Sequence, residues 1–143
     1  MAKTLHDLSD AMRKIDFGML TTLTEGGAFA SRPMSNNGEV EYQGHSYFFS
    51  YDDARTIADI EATPQVGLTF AGAPGAPGAP PLFISVEGKA DLIRDKAQFA
   101  AHWTSDLDHW FEQGIDTPGI VMIRVIAERI HYWAGSDEGE IAL

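Results

Sequence analysis

The segment FFSYDDART, residues 48–56, groups residue types that bind phosphate. It ends a β-prone run with the hydroxyl of Ser50 and places Arg55 and Thr56 where a helix is predicted to begin. A helix N-terminus offers unpaired N–H groups, and an arginine adds charge-assisted hydrogen bonds, so these residues could hold a phosphate dianion. The alternative is that Arg55 is a solvated surface residue, and the aspartate pair before it opposes an anion unless both carboxylates point away as caps.

The segment FASRPMSNN, residues 29–37, places a cation where a strand is predicted to end. Pro33 has no N–H to give to a sheet, and a turn signal follows it, so strand pairing is expected to stop near Arg32. Backbone groups near Met34 and Ser35 would then be free to meet a ligand. The alternatives are that Arg32 is an exposed edge residue or a salt-bridge partner, and that Pro33 only terminates the strand.

Three later residues have the spacing of metal ligands. His102, Asp106 and His109 lie four and three apart, so on one continuous helix they would share a face. A polar helix face is the preferred interpretation, because Thr104 and Ser105 can break the helix between them. No metal site is predicted.

Two tryptophans, Trp110 and Trp133, could pack in a core or an interface, or border a planar ring.

The sequence contains no strand–Gly-rich loop–helix unit, no Gly-x-Ser-x-Gly and no Walker motif, so Rossmann, hydrolase and nucleoside-triphosphatase functions have no support. No residue stands out as an acid or a base, so the catalytic residues are unknown.

The hydrophobic pattern predicts a mainly β scaffold for these residues. Alternation is clearest between Ile84 and Leu92, while Thr4 and Asp7 form a capping-box pair that opens a helix. The predicted strands are 17–24, 28–34, 40–42, 45–50, 66–71, 84–92, 120–125 and 128–133. The predicted helices are 4–15, 55–62 with an aspartate cap, and 95–102 with 105–111, the last two as one helix or two. Residues 72–81 are expected to form an exposed loop, and the acidic tail is expected to be loose unless Ile141 and Leu143 dock. An antiparallel sheet or small barrel with peripheral helices follows.

Composition and charge restrict the partners of the chain. Its 143 residues suit one domain, 1–143, with 44% hydrophobic and 22% charged residues. Ten Lys and Arg against 21 Asp and Glu give a formal charge of −11, which disfavours nucleic acid and anionic membranes.

Without cysteine there is no disulfide and no thiol nucleophile. Apolar runs are short and residues 1–15 lack the apolar centre of a signal peptide, so a cytoplasmic location is expected.

The order of these pieces resembles the FMN-binding split-barrel superfamily of pyridoxamine 5′-phosphate oxidase, above all its general stress protein branch. The resemblance covers nearly the whole chain. Its most specific parts are SRPM at 31–34, FFSYDDARTIADIEATPQVGLTF at 48–70, SVEGKADLI at 85–93 and ERIHYW at 128–133. It implies a mainly β, six-stranded antiparallel split barrel with peripheral helices, forming a homodimer that binds FMN in two equivalent clefts between the subunits.

The resemblance also implies a set of cofactor contacts. They are Arg32, Pro33, Met34, Phe49, Ser50, Tyr51, Arg55, Thr56 and Trp133. Arg55 and Thr56 correspond to the basic phosphate-binding pair of the family, although only the first is basic here. Trp133 corresponds to the tryptophan that reaches the flavin from the other subunit.

One departure concerns the substrate. In the oxidase an Arg-x-His element that holds pyridoxine follows the last tryptophan, whereas here only AGSDEGEIAL follows Trp133. Arg129 and His131 look like that element but precede the tryptophan, so pyridoxamine phosphate oxidation is not expected.

The function implied is that of a stress-related flavoprotein. The leading hypothesis is an oxidoreductase with FMN, or FAD, a nicotinamide donor and an unknown small acceptor. The alternatives are a flavin-binding module for storage or sensing without turnover, and a split barrel that uses the deazaflavin F420 or haem.

Overall fold

The part of the chain that the computed structural model describes, residues 2–36, 41–72 and 78–143, folds around a seven-stranded antiparallel sheet. The elements, in chain order, are α1 (Leu5–Met12), β1 (Phe17–Leu23), β2 (Phe29–Ser35), β3 (His45–Tyr51), α2 (Arg55–Ala62), β4 (Gln65–Gly72), β5 (Leu82–Ile93), α3 (Lys96–His102), two short 3-10 helices (Ser105–His109 and Gly114–Asp116), β6 (Ile120–Ala134) and β7 (Asp137–Ala142). The predicted β+α fold with an antiparallel sheet and peripheral helices is confirmed, and the sheet has one strand more than the six expected.

The strand order β2-β1-β4-β5-β6-β3 leaves the sheet open between its two end strands. β2 pairs only with β1, and β3 pairs only with β6, among the strands of the described residues. Each of these strands therefore has one edge with no strand partner. We call the gap between the free edges of β2 and β3 the seam.

The main core lies on one face of the sheet. Alternate residues of the strands point into it, as Ile84, Val86 and Ala90 of β5 show by their burial. Leu8 from α1 and Ile57 from α2 are at most 1% exposed and pack into the same core. These helices can pack against the core because their apolar residues recur at helical spacing.

A second apolar cluster lies outside the sheet, over β3 and β6. Phe49 and Met122 face each other across these two strands and are buried by Phe99 of α3 and by Phe111. The aromatic rings of Phe49 and Phe99 meet edge to face, with centroids 5.7 Å apart. This cluster fixes residues 103–111 against the end of β3 and so builds one wall of the seam.

The acidic tail, which was expected to be loose unless Ile141 and Leu143 dock, is an ordered strand. It forms β7, which pairs with the second half of β6 from Arg129 to Ala134, and Ile141 packs against the core. The turn between β6 and β7 uses Gly135 at φ +66°, a conformation that favours glycine. β7 forms because β3 pairs only with the first half of β6 and leaves the edge of the second half available.

Other boundaries also differ from the prediction. Residues 120–125 and 128–133 belong to one continuous strand, β6, because β5 pairs along its whole length through a bulge at Gly88. The hairpin expected between 40–42 and 45–50 does not form: Val40 lies outside the described residues, Glu41 and Tyr42 are not in a strand, and β3 pairs with β6. Residues 73–77 of the predicted 72–81 loop also lie outside the described residues.

The helices match more closely. α1 is shorter than the predicted 4–15, and its capping box of Thr4 and Asp7 is confirmed. The 105–111 helix is a 3-10 helix that ends at His109. No helix in the described ranges is long and apolar enough to cross a membrane.

Candidate functional site

A cavity of about 310 Å³ lies at the seam, and we call it the seam cavity. β2 lines it with Pro33, Met34 and Ser35, and β3 lines it with residues 48–51. Its volume is within the range of small-molecule sites, and its lining is predominantly apolar. The fold thus brings together two segments that are well separated in sequence and that both end at this point.

The two free strand edges explain why a cavity persists here. Pairing of β2 with β1 does not stop near Arg32, as the sequence suggested, because Pro33 faces Met19 and the register continues to Ser35 facing Phe17. The unpaired edge of β2 is the one that faces away from β1, since β2 has no second strand neighbour in the described part of the chain. A proline is tolerated there because an edge strand does not need every N–H.

Most of the expected ring contacts meet at this cavity. Pro33 and Met34 lie on one side of it, and Phe49, Ser50 and Tyr51 lie on the other. Met34 is 9% exposed and Tyr51 is 43% exposed, so the cavity reaches from the edge of the core to the surface.

Arg32 points into a buried polar network rather than lining the cavity. Its Nη1 donates to Thr22 Oγ1 at 2.9 Å and to the Leu20 carbonyl oxygen at 3.3 Å. Its Nη2 lies 3.8 Å from Oδ2 of Asp59, a carboxylate on α2 that is 6% exposed. Within the single chain, Arg32 is therefore a salt-bridge partner, which is one of the alternatives that the sequence offered.

Arg55 lies near Arg32 at the start of α2. Burial lowers the pKa of the Arg32 guanidinium, the Asp59 carboxylate acts in the opposite direction, and the positive charge of Arg55 lowers that pKa further. Arg55 is exposed, whereas Thr56 is 7% exposed. The two guanidinium groups concentrate positive charge beside the helix terminus in a strongly acidic protein.

The start of α2 has free N–H groups. Its N-cap residue is Ala54, which provides no side-chain cap, so the predicted aspartate cap is wrong. Asp52 instead accepts a 2.7 Å hydrogen bond from Arg94. Within the described residues, the backbone N–H groups of Arg55 and Thr56 have no backbone acceptor. Such a terminus can bind an anion.

Trp133 lies elsewhere on the same chain. It sits on β6 opposite Phe83 of β5 and Glu138 of β7, and its ring stacks on His131 with centroids 4.1 Å apart. β3 pairs with the other end of β6, from Ile120 to Ile126. Trp133 is therefore not part of the seam cavity lining found in the described chain.

Several lining residues were not predicted as contacts. Phe17 of β1, Leu107, Trp110 and Phe111 form the rest of the cavity wall. For Trp110 the sequence predicts either a core or interface position or a place beside a planar ring, and its side chain is 60% exposed in the cavity wall. The helical signal of 105–111 could not show which wall it would form, because that depends on packing against Phe49.

The possible metal-binding helix does not form. α3 ends at His102, and the next helix begins at Ser105 with 3-10 geometry, so His102, Asp106 and His109 do not share one helix face. His102 instead stacks on Tyr47 with ring centroids 3.6 Å apart.

Solved structures with a similar fold come from several bacteria. A protein of Clostridium acetobutylicum related to general stress protein 26 is 15% identical with a TM-score of 0.80, over 97% of this chain and 94% of that chain. General stress protein 26 of Bacillus anthracis is 22% identical with a TM-score of 0.73, over 93% of each chain. A haem-binding protein of Mycobacterium smegmatis is 13% identical with a TM-score of 0.77, over 99% of this chain and 59% of that chain.

No curated protein matches the chain. The family model described as "Pyridoxamine 5'-phosphate oxidase like" matches residues 3–143. The strand order, the open seam and the start of α2 all lie within this match. The chain therefore belongs to the pyridoxamine 5′-phosphate oxidase-like family.

Proposed function

We propose that the protein is a homodimeric, stress-related flavoprotein that binds FMN at the seam and transfers electrons from a nicotinamide donor to a small acceptor. The carrying observation is an apolar cavity lined by Tyr51 at the end of β3, followed in the chain, from Arg55, by a positively charged helix terminus that is not itself part of the lining. The cavity suits a flat, largely apolar ring, and the free N–H groups of α2 beside Arg55 suit a phosphate dianion. FMN combines these two parts.

Each group of residues has a separate part in this proposal. Pro33 and Met34 hold one side of the ring, and Phe49, Ser50 and Tyr51 hold the other. Arg55 and the N–H groups of α2 bind the phosphate, and Thr56 adds a hydroxyl. When bound, FMN supplies the hydride and electron transfer, while the protein orients the ring and excludes water.

Arg32 acts on the charge of the site. Its guanidinium is held by Thr22 and Asp59, so it provides a fixed positive charge next to Arg55. A fixed charge costs no reorganisation when an anion arrives, and it therefore raises the affinity for phosphate. The same charge favours the reduced, more negative form of a nearby flavin.

The proposed dimer rests on the outer face of the sheet. Met19 of β1, Phe83 of β5 and Trp133 of β6 are 41%, 47% and 37% exposed. A second copy on this face would bury them, and burial of apolar surface drives association. It would also allow Trp133 to reach the seam of the other copy, which it does not reach in its own.

Haem is the second candidate cofactor. The resemblance to the haem-binding protein of Mycobacterium smegmatis favours it, and Met34, a residue type that can ligate haem iron, is among the residues that line the cavity. A non-catalytic flavin module would bind its flavin in the same cavity and would differ from the leading proposal in having no turnover. A protein that uses the deazaflavin F420 would bind it in the same cavity and would differ in the reductant.

A spectroscopic titration tests the proposal. The purified protein is titrated with FMN, FAD, F420 and haem while the visible spectrum and the affinity are followed, and the FMN complex is then mixed with NADH or NADPH. We expect tight, saturable FMN binding and bleaching of the yellow colour by the nicotinamide. Binding without bleaching by any donor supports the storage or sensing module, and preferential haem binding overturns the flavin proposal.

A further inference from the structure

A second cavity, of about 320 Å³, adjoins the seam cavity, and we call it the polar cavity. Phe17, Ser35 and Trp110 line both cavities, so a molecule in the polar cavity would lie beside one bound at the seam. The exposed indole of Trp110 is the largest side chain of this common wall. The two cavities therefore share one wall.

The charges of the two cavities differ. No Asp, Glu, Lys or Arg among the described residues lines the seam cavity, whereas Asp16 and Asp106 both line the polar cavity. Neither carboxylate makes a salt bridge or a side-chain hydrogen bond within the described ranges. His109 is the remaining ionisable group, and no Lys or Arg of the described chain contributes to the lining.

The polar cavity is built on fixed backbone. The Asn36 side-chain amide donates to the carbonyl oxygens of Met12 at 2.8 Å and Ile15 at 2.9 Å, and the Asn36 backbone N–H donates to the Asp16 carbonyl oxygen at 2.8 Å. These bonds tie the end of α1 and the start of β1 to the end of β2. The wall that carries Asp16 is therefore held in place before any ligand arrives.

We propose that the polar cavity is the substrate subsite and that it takes an aromatic organic cation, stacked on Trp110 and paired with Asp16 and Asp106. Two surface carboxylates alone would not define a site; here they line a cavity that shares an aromatic wall with the proposed cofactor cavity. An indole face attracts a cation, and a carboxylate adds a charge-assisted hydrogen bond. A phosphorylated or carboxylated substrate would meet repulsion at the same place.

This inference deepens the proposed function, since it names the substrate class of the same site. It can nevertheless be tested without the cofactor. The probe is benzamidinium, compared with neutral benzamide and anionic benzoate by calorimetric titration of the purified protein. We expect benzamidinium to bind at least tenfold more tightly than either analogue, with an affinity that falls as salt is raised.

Variants locate the binding. Asp106→Asn and Trp110→Leu should each weaken benzamidinium binding about three- to tenfold, and the double variant Asp16→Asn/Asp106→Asn should abolish the preference over benzamide. Glu112→Gln is the matched control, because it removes an exposed carboxylate from the same segment outside the polar cavity. Equal binding of benzamidinium and benzamide, or equal losses in the control and in Asp106→Asn, would overturn the proposal.

FMN affinity is measured on the same proteins. Selective benzamidinium binding by a protein that does not bind FMN would support the subsite and reject the proposed cofactor. FMN binding without benzamidinium selectivity would keep the cofactor proposal and reject the subsite.

Discussion

The Thr22 hydroxyl donates a 2.8 Å hydrogen bond to the carboxylate of Asp59, and the two residues are 1% and 6% exposed. Thr22 Oγ1 also accepts from Arg32, so one hydroxyl joins a buried anion to a half-buried cation. Burying a charged group is costly unless it is paired and hydrogen-bonded. This link therefore fixes α2 to β1 and β2 and holds Arg32 beside the proposed phosphate site.

Thr22→Val should destabilise the protein by about 1–3 kcal/mol, because it leaves the buried Asp59 carboxylate without its hydroxyl donor while keeping the side-chain shape. The free energy of unfolding, from urea titration, measures this effect. Thr69→Val is the matched control on an exposed strand position and should change that free energy by less than about 0.5 kcal/mol. Equal stability of Thr22→Val and the parent would mean that the hydrogen bond contributes nothing.

Arg55→Ala should lower FMN affinity about ten- to a hundredfold, since a charge-assisted phosphate contact is worth about 1.5–3 kcal/mol. Equilibrium titration with FMN measures the affinity, and riboflavin, which lacks the phosphate, should bind the variant and the parent alike. Arg13→Ala removes one exposed cation at the end of α1 and serves as the control. Unchanged FMN affinity in Arg55→Ala would remove Arg55 from the phosphate site.

The sequence predicted local features of the fold well because they depend on near neighbours. The Thr4–Asp7 capping box needs only four consecutive residues, and the alternation of β5 is a property of one strand. It could not show that the tail would form β7, because that depends on the free edge of β6, and this edge is set by how far β3 extends along it. Which strands pair depends on residues that are far apart in the sequence, and a local pattern does not contain that information.

The candidate site shows the same contrast between local features, which the sequence predicts, and long-range contacts, which it does not. Residues 49–51 and Pro33 were expected at a strand end, and both segments line the cavity. The sequence does not decide between the alternatives for Arg32, because its partners Thr22 and Asp59 come from two other elements. The aspartate cap of α2 is wrong because the helix begins one residue too late for it: the N-cap position is Ala54, and Asp52 pairs with Arg94, which is distant in sequence.

Phe83→Arg should weaken the proposed dimer. Phe83 is 47% exposed opposite Trp133, and a charge placed in a desolvated apolar interface is costly. Sedimentation velocity at micromolar concentration should give a dimer for the parent and a shift toward monomer for the variant. Gln98→Arg, which adds the same charge to the exposed face of α3, should remain dimeric. A monomeric parent would contradict the shared-cleft model directly.

Gly88→Ala should destabilise the protein by more than about 2 kcal/mol. A Cβ at this position would lie 2.1 Å from the Ile126 carbonyl oxygen, and that atom is backbone in a paired strand and cannot move aside. Gly26→Ala is the control, because a Cβ there would have nothing within 4 Å. Thermal unfolding of both variants measures the difference, and similar melting temperatures would show that the bulge between β5 and β6 relaxes easily.

Tyr42→Phe should change how stability depends on alkaline pH. Burial raises the pKa of the Tyr42 phenol, which is 8% exposed, and its hydroxyl has no hydrogen-bond partner in the described residues. The folded-state pKa therefore lies above the unfolded value of about 10, so below that pH both states keep the proton and stability is unaffected. Above it the unfolded chain loses the proton first.

Parent stability should therefore fall by about 1.4 kcal/mol per pH unit above pH 10 from this residue alone, and Tyr42→Phe should lack that contribution. Urea unfolding of both proteins between about pH 7 and pH 11 measures the two slopes. At pH 7 the variant should be at least as stable as the parent, because it loses a hydroxyl that is buried without a partner. Parallel alkaline slopes would show that water or a structural opening reaches Tyr42.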